Sequence, residues 1–286
     1  MTQLLSKPVT DEIFSKVRKR IQDFVDLYGR APKLAVVLVG NDPASTIYTR
    51  RKGEVAVFLG MEHQSWHLPP TATPDEVRSL VTQLNHDPKI DGILIQRPLP
   101  SSFREEEVMY WVAPDKDVDA FHPENAGRLF LGIPKFQPCT PSGIMTLLAH
   151  YGISVRGKIA CVIGRSSIVG KPMAALLLQA DATVLQCHSK TPNLKKFTQQ
   201  ADILVVAAGK MGLIDRTFVK KGAVVIDVGM HRNSDNKVVG DVLFEEVEKV
   251  ASSITPVPGG VGPMTIAILM QNTITAAECR EKRKSE

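Results

Sequence analysis

Apolar positions fall in short runs separated by polar, glycine-containing segments. Residues 34–39 (LAVVLV) are continuously apolar and closed by Gly40, as expected of a strand buried on both faces. Pro43 suits a first helical turn and Gly60 a C-terminal cap, so 43–58 is predicted helical. A second helix is predicted over 75–85, a strand over 90–96 (IDGILIQ), a helix over EEEVMYWV and a loop over APDKDVDAFHP. The second half repeats the alternation. Thr140 and Pro141 are expected as N-cap and first position of a helix ending near Tyr151–Gly152. KIACVIG (158–164), TVLQC (183–187), DILVVAAG (202–209) and AVVIDVG (223–229) read as strands, with Pro172 opening a helix through Gln179. A last helix is expected over 263–278. Strands alternating with helices predict an α/β protein with parallel sheets. Two domains are expected, an α/β substrate domain over 1–120 and a Rossmann-type dinucleotide-binding domain over 140–262. A cleft should lie between them, and the C-terminal segment 263–286 should return to complete the first.

Composition narrows the function classes. With 286 residues, 43% hydrophobic and 23% charged, the chain can bury sizeable cores. The net charge of +5 favours anionic small molecules. The basic runs KVRKR, RRK and REKRK are short and scattered, which speaks against a nucleic-acid face. Cys139, Cys161, Cys187 and Cys279 follow no metal-ligand or disulfide spacing. No secretory signal and no run long enough for a membrane span are read, so a cytoplasmic protein is expected.

The loop Gly164, Arg165, Ser166, Ser167, Ile168, Val169, Gly170 follows a strand and precedes a helix. It departs from the G-x-G-x-x-G fingerprint, with Ser166 at the middle glycine and Gly170 one position late. Its context still suits phosphate held by backbone N–H groups and a helix N-terminus. The next strand ends at Cys187, where an NAD site usually places a carboxylate for the ribose hydroxyls. Here His188, Ser189, Lys190 and Thr191 follow, with no carboxylate to repel a 2′-phosphate, and Arg165 is within reach from the loop. NADP is therefore the expected cofactor. The same HSKTP segment also suits a helix cap through Ser189 or Thr191.

Tyr48 and Lys52 stand four residues apart and share one helix face. Gln96 lies at the C-terminal end of a parallel strand, where open α/β sheets bind ligands. Asp119 lies in the acidic loop with Asp115 and Asp117. Together they suit a polar heterocycle and one proton transfer, because a partly buried lysine can act as a base. Surface helices also carry such pairs, and the aspartates also suit loop capping. No G-x-S-x-G or H-E-x-x-H motif occurs, and His122, His188 and His231 read as local hydrogen-bonding groups, so no metal site is expected.

Several long segments resemble the bifunctional methylenetetrahydrofolate dehydrogenase/cyclohydrolase family. They are GNDPASTIYTRRKG, DGILIQRPLP, PDKDVDAFHPENAGRL with QPCTPSGI, GRSSIVGKP, CHSKT, VIDVGM and PVPGGVGPMT, in that order. The resemblance implies NADP-dependent oxidation of 5,10-methylenetetrahydrofolate to the 5,10-methenyl form, then hydrolysis to 10-formyltetrahydrofolate. It implies Lys52 as general acid/base, Tyr48 stacking on the folate, Gln96 tuning Lys52 and Asp119 on the pterin edge. Pro258, Gly259, Gly260 and Val261 would line the folate near the nicotinamide, and the protein would be a homodimer. The chain departs from the family pattern at Arg97, commonly Leu, at Ala120, commonly Gly, and at Met230–His231, commonly Ile-Asn. Another two-domain NADP dehydrogenase, of shikimate or amino-acid type, and a non-catalytic nucleotide-binding protein are the alternatives to this reading.

Overall fold

A computed structural model describes residues 1–285. Along the chain, β1 (Thr2–Gln3) leads into the long helix α1 (Lys7–Tyr28), then β2 (Lys33–Val39), α2 (Pro43–Leu59), β3 (Glu62–Leu68), α3 (Pro74–His86) and β4 (Gly92–Ile95). The short helices α4 (Glu105–Val108) and α5 (Pro123–Phe130) follow, then α6 (Cys139–His150), β5 (Ile159–Ile163), α7 (Gly170–Gln179) and β6 (Thr183–Cys187). Next come α8 (Leu194–Thr198), β7 (Ile203–Val206), β8 (Val224–Asp227), the hairpin strands β9 (His231–Arg232) and β10 (Val238–Val239), α9 (Phe244–Val247), β11 (Ser253–Ile254) and α10 (Val261–Ser285). The chain divides into two compact units, one of Met1–Asp11 with Pro138–Thr265, the other of Glu12–Gln137 with the chain from Ile266 on.

The unit built on Glu12–Gln137 has a three-stranded parallel sheet, ordered β3-β2-β4. Central β2 has six consecutive buried residues, as its unbroken apolar run requires. Edge strand β3 (EHQSWHL) has only exposed and half-buried positions and is too polar for an apolar-run reading to find. Helix α2 starts where Asp42 accepts the Ser45 N–H at 2.7 Å, with Pro43 in its first turn, and stops at Gly60, whose φ is 96°. The segment EEEVMYWV is helical only through Val108. Asn85 takes over the backbone beyond it, donating to the Trp111 carbonyl at 2.7 Å and accepting from Ala113 N–H at 2.9 Å. The expected loop ends where α5 begins, at Pro123, and the first turn of that helix is capped by the His122 ring accepting the Glu124 N–H.

Helix α10 supplies this unit with its last element, as expected, and runs beyond 278. Asn272 donates to the carbonyls of Val118 and Gln137, at 2.8 and 3.0 Å. Arg20 pairs with Glu278 at 2.7 Å. At its end, fully buried Asp91 accepts from Arg30 at 2.7 and 2.8 Å and pairs with Arg280 at 3.1 Å, while Arg30 also holds Glu281 at 2.7 Å.

The other unit is a six-stranded parallel sheet ordered β1-β11-β8-β7-β5-β6, with β9 and β10 as a separate antiparallel pair. Residues 1–11, expected with the substrate domain, belong to this unit instead, and two of them join its sheet: Thr2 aligns with Ser253 and Gln3 with Ile254. Two residues of strand carry too little pattern to be read in sequence. Thr140 is not the N-cap of α6. Pro138 occupies that position without a side-chain cap, and Thr140 lies in the first turn with its hydroxyl 2.9 Å from that of Thr265. Helix α7 opens at Gly170, two residues before Pro172. The HSKTP segment caps no helix: the Thr191 hydroxyl accepts the His188 N–H at 2.9 Å and closes a turn, and α8 begins later, after Asn193.

Candidate active site

The buried stripe of α2 is Ser45, Thr49, Lys52, Gly53, Ala56 and Leu59. Its N-terminal half is polar, which packing alone does not favour. Lys52 is only 7% exposed, and its amine donates to Gln96 Oε1 at 2.9 Å. Gln96 follows β4 directly and reaches α2 from the C-terminal end of the sheet. Its amide has one orientation: Nε2 donates to the Arg97 carbonyl at 2.6 Å, so Oε1 must face the lysine. The buried Ser45 hydroxyl donates to that same carbonyl at 3.2 Å. In this contact the lysine meets a neutral acceptor that orients its amine. Tyr48, one turn before Lys52, is half-buried, and desolvation raises its pKa, so the phenol keeps its proton.

The Arg97 side chain turns away from Gln96, pairing with Glu105 at 2.7 Å and lying 5.6 Å from the Phe121 ring centre. Arg97 thus ties the segment after β4 to the start of α4.

In the acidic loop the three aspartates separate by role. Buried Asp117 accepts from His122 N–H and Asn125 Nδ2, both at 2.8 Å, and organises the loop. Asp115 faces Arg283 at 3.7 Å. Asp119 is half-buried. Ala120 adopts φ 61°, a left-handed conformation that favours glycine. Neighbouring Lys116 donates to the carbonyls of Leu84 and Asp87, at 2.8 and 2.7 Å, and burial lowers its pKa to about 8.

Burial pushes the Asp117 pKa up to about 6, against the opposing hydrogen bonds. Because the folded value exceeds the unfolded one, Asp117 contributes stability that is full below about pH 4 and lost as pH rises through about 6. The wild-type protein is expected to gain about 2 kcal/mol relative to Asp117→Asn between pH 6.5 and pH 4, by linkage. Denaturant unfolding of both proteins across that range measures it; a constant gap would contradict the assignment.

In the Rossmann-type unit, a cavity of about 490 Å³ opens at the ends of β5, β6 and β7. Gly164, Arg165, Ser166 and Ser189 line it, together with His188, Thr191, Ala207, Ala208 and Lys210. Ile168 and Gly170 lie in the same loop but are not among the lining residues. A Cβ on Gly164 would stand 2.2 Å from the Ala207 carbonyl oxygen and one on Gly170 2.3 Å from that of Gly164, so both glycines are needed for the tight turn. The Ser166 hydroxyl accepts the N–H groups of Val169 and Gly170 at 3.2 Å each and replaces the missing glycine as the organiser of the turn. Among the described residues no carboxylate lines the cavity, while Arg165 and Lys210 do, a donor set that fits a 2′-phosphorylated dinucleotide. The 207–210 segment follows a parallel strand, a signal available in sequence but not used for the site.

Pro258, Gly259, Gly260 and Val261 form the turn into α10. The Gly259 carbonyl accepts from the N–H and hydroxyl of Ser6, at 2.9 and 2.7 Å, and a Cβ on Gly260 would meet the Pro256 carbonyl oxygen at 2.6 Å. Among the described residues, no three His, Cys, Asp or Glu side chains gather to hold a metal ion, and no helix is long and apolar enough to cross a membrane.

Comparison with known proteins gives this geometry its context. Residues 4–119 match the family model for the tetrahydrofolate dehydrogenase/cyclohydrolase catalytic domain, and residues 138–281 match that for its NAD(P)-binding domain. The bifunctional protein FolD of Ligilactobacillus salivarius is 53% identical over 276 residues, covering 96% of this chain and 95% of the relative. The crystal structure of bifunctional FolD methylenetetrahydrofolate dehydrogenase/cyclohydrolase from Campylobacter jejuni superposes with a TM-score of 0.94 at 46% identity, covering 98% of this chain and 99% of that one. The Trypanosoma brucei enzyme, solved with NADP cofactor and inhibitor, gives 0.94 at 34% identity, covering 98% of each chain. The chain belongs to the tetrahydrofolate dehydrogenase/cyclohydrolase family and is an NADP-dependent methylenetetrahydrofolate dehydrogenase and methenyltetrahydrofolate cyclohydrolase.

Proposed function

We propose that Lys52 is the proton carrier of the hydrolytic step, held by Gln96, with Tyr48 and Asp119 positioning the folate. The observation that carries this reading is the 2.9 Å contact between Lys52 and a Gln96 amide whose direction Arg97 fixes. Bound NADP supplies the hydride acceptor for the first reaction. This chain's own part in that step is alignment: substrate held in one geometry needs no further activation. The methenyl product carries positive charge and is electrophilic. An uncharged Lys52 takes a proton from water as its oxygen bonds to the methenyl carbon. As the new hydroxyl releases its remaining proton to solvent and becomes the formyl carbonyl, the bond from that carbon to the ring nitrogen breaks and the same amine passes its proton to that nitrogen, leaving the formyl group on the other nitrogen. A carboxylate in place of Gln96 would hold the lysine charged, which explains an amide at this position. Tyr48, kept as a phenol, is assigned to stack on the folate ring, and Asp119 to accept from the pterin edge. The Pro258–Val261 turn is assigned contacts to the folate, and Arg165 and Ser189 the 2′-phosphate of NADP.

The test is a coupled optical assay with 5,10-methylenetetrahydrofolate and NADP or NAD, following NADPH and methenyl absorbance separately. NADPH formation without lasting methenyl accumulation is expected; accumulating methenyl product would contradict efficient hydrolysis by this site.

Two finer readings accompany this one. A homodimer is proposed, supported by β6 ending the larger sheet with half-buried Val184 and Leu185 and by Leu178 at 64% exposure on the neighbouring helix. Light scattering after size exclusion is expected to give twice the 31.3 kDa chain mass. A cytoplasmic setting is proposed from the four free cysteines.

A further inference from the structure

Behind the cofactor cavity lie two buried carboxylates that no step above uses. Asp241 is fully buried and Asp227 only 4% exposed. Asp241 Oδ2 accepts the N–H groups of Ala208 and Gly209 at 2.8 and 2.9 Å, and its Oδ1 accepts from His231 Nε2 at 2.7 Å. Asp227 in turn accepts the backbone N–H of Asp241 at 3.0 Å, of Val242 at 3.0 Å and of Gly229 at 2.9 Å. Three loops, following β7, β8 and β10, are thus tied at one point.

The tie is closely packed. A Cβ on Gly240 would stand 1.8 Å from Asp227 Oδ2, and one on Gly229 would stand 2.4 Å from Asp241. The segment 207–210 has no regular secondary structure to hold it, yet Ala207, Ala208 and Lys210 form one wall of the cavity. The Ala207 N–H is held by the Ile163 carbonyl at 2.8 Å, and the next two N–H groups, of Ala208 and Gly209, are held by the Asp241 carboxylate. Among the described residues that carboxylate has one side-chain donor, the His231 imidazole, which does not itself line the cavity.

We propose that His231 and Asp241 are positioning residues for the dinucleotide: the imidazole fixes the carboxylate, and the carboxylate fixes the Ala207–Lys210 wall against which NADP binds. The proposal rests on NADP binding at this cavity.

The test is calorimetric titration of NADP into the full-length protein, with steady-state kinetics and NADP-free methenyltetrahydrofolate hydrolysis measured alongside. His231→Ala is expected to weaken NADP binding and raise its KM by about tenfold, the effect of losing one hydrogen bond to a charged group. The kcat of the dehydrogenase, the KM for methylenetetrahydrofolate and the hydrolysis rate should stay within about twofold, a split that removes only binding. His231→Gln, whose amide can donate to the same oxygen, should recover most of the affinity. Asp241→Asn keeps the volume and an acceptor for the two N–H groups, and should weaken NADP binding in a way that His231→Ala does not deepen in the double variant. NADP affinity unchanged in His231→Ala, additive effects in the double variant, or hydrolysis lost in step with affinity would each overturn the brace. Wild-type protein that fails to bind NADP would instead overturn the cavity assignment itself.

Discussion

Lys52→Met is expected to lower methenyltetrahydrofolate hydrolysis by at least about a hundredfold, the scale of a lost general acid/base. Methionine keeps the apolar stem that lies in the buried stripe of α2, where Lys52 is 7% exposed, and removes only the amine. Dinucleotide binding should persist, because the NADP cavity is lined by residues of the Rossmann-type unit. Gln96→Glu supplies the complementary case. Its carboxylate would face the amine and hold it as an ammonium, and would lose the hydrogen bond that the amide donates to the Arg97 carbonyl at 2.6 Å, so hydrolysis should fall. Hydrolysis is read from the decay of methenyl absorbance without NADP. Turnover unchanged in Lys52→Met would remove Lys52 from the mechanism.

The second large effect concerns stability. Asp91→Ala is expected to cost about 3–5 kcal/mol, the range for breaking a buried ion pair from one side. Asp91 is fully buried and holds two guanidinium groups, Arg30 through a bidentate pair at 2.7 and 2.8 Å and Arg280 at 3.1 Å, besides the Lys33 N–H at 2.9 Å. The hydrogen bond to Asp91 is the main cause of the raised Arg30 pKa. Removing the carboxylate leaves Arg30 with Glu281, at 2.7 Å, as its carboxylate partner, and Arg280 with the Ile90 carbonyl. Urea unfolding followed by far-ultraviolet circular dichroism measures the loss. A change below about 1 kcal/mol would show that the network adds no more than an exposed ion pair.

How far the sequence could be read depended on where the determining interactions lie. Strand β2, strand β6 and the caps of α2 were legible because their causes are local: an apolar run, Pro43, Gly60. Asp42, Pro43 and Gly60 act within four residues of their own helix ends. Helix α4 ended early because Asn85, more than twenty residues away, captures the backbone at Trp111 and Ala113. Thr140 looked like a cap and is instead a partner of Thr265, 125 residues on. Strand β1 exists only because β11 lies beside it.

The candidate site divides in the same way. The four-residue spacing of Tyr48 and Lys52 is enough to place them on one helix face, and the glycine-bearing turn after β5 announces the dinucleotide site. That Gln96 Oε1, and not its amide nitrogen, meets Lys52 was decided by the Arg97 carbonyl. That Asp117 organises the acidic loop, although Asp115 and Asp119 flank it in the same motif, was decided by the placement of Asn125 and His122 N–H. The tie of His231, Asp241 and Asp227 left no mark in spacing at all, because it joins the ends of three separate segments. The sequence by itself determined the alternation of elements and the residue types at the strand ends, since periodicity and turn chemistry act over a few residues. Tertiary structure alone decided which donor meets which acceptor, because those contacts cost chain entropy that only the assembled sheets and helices compensate.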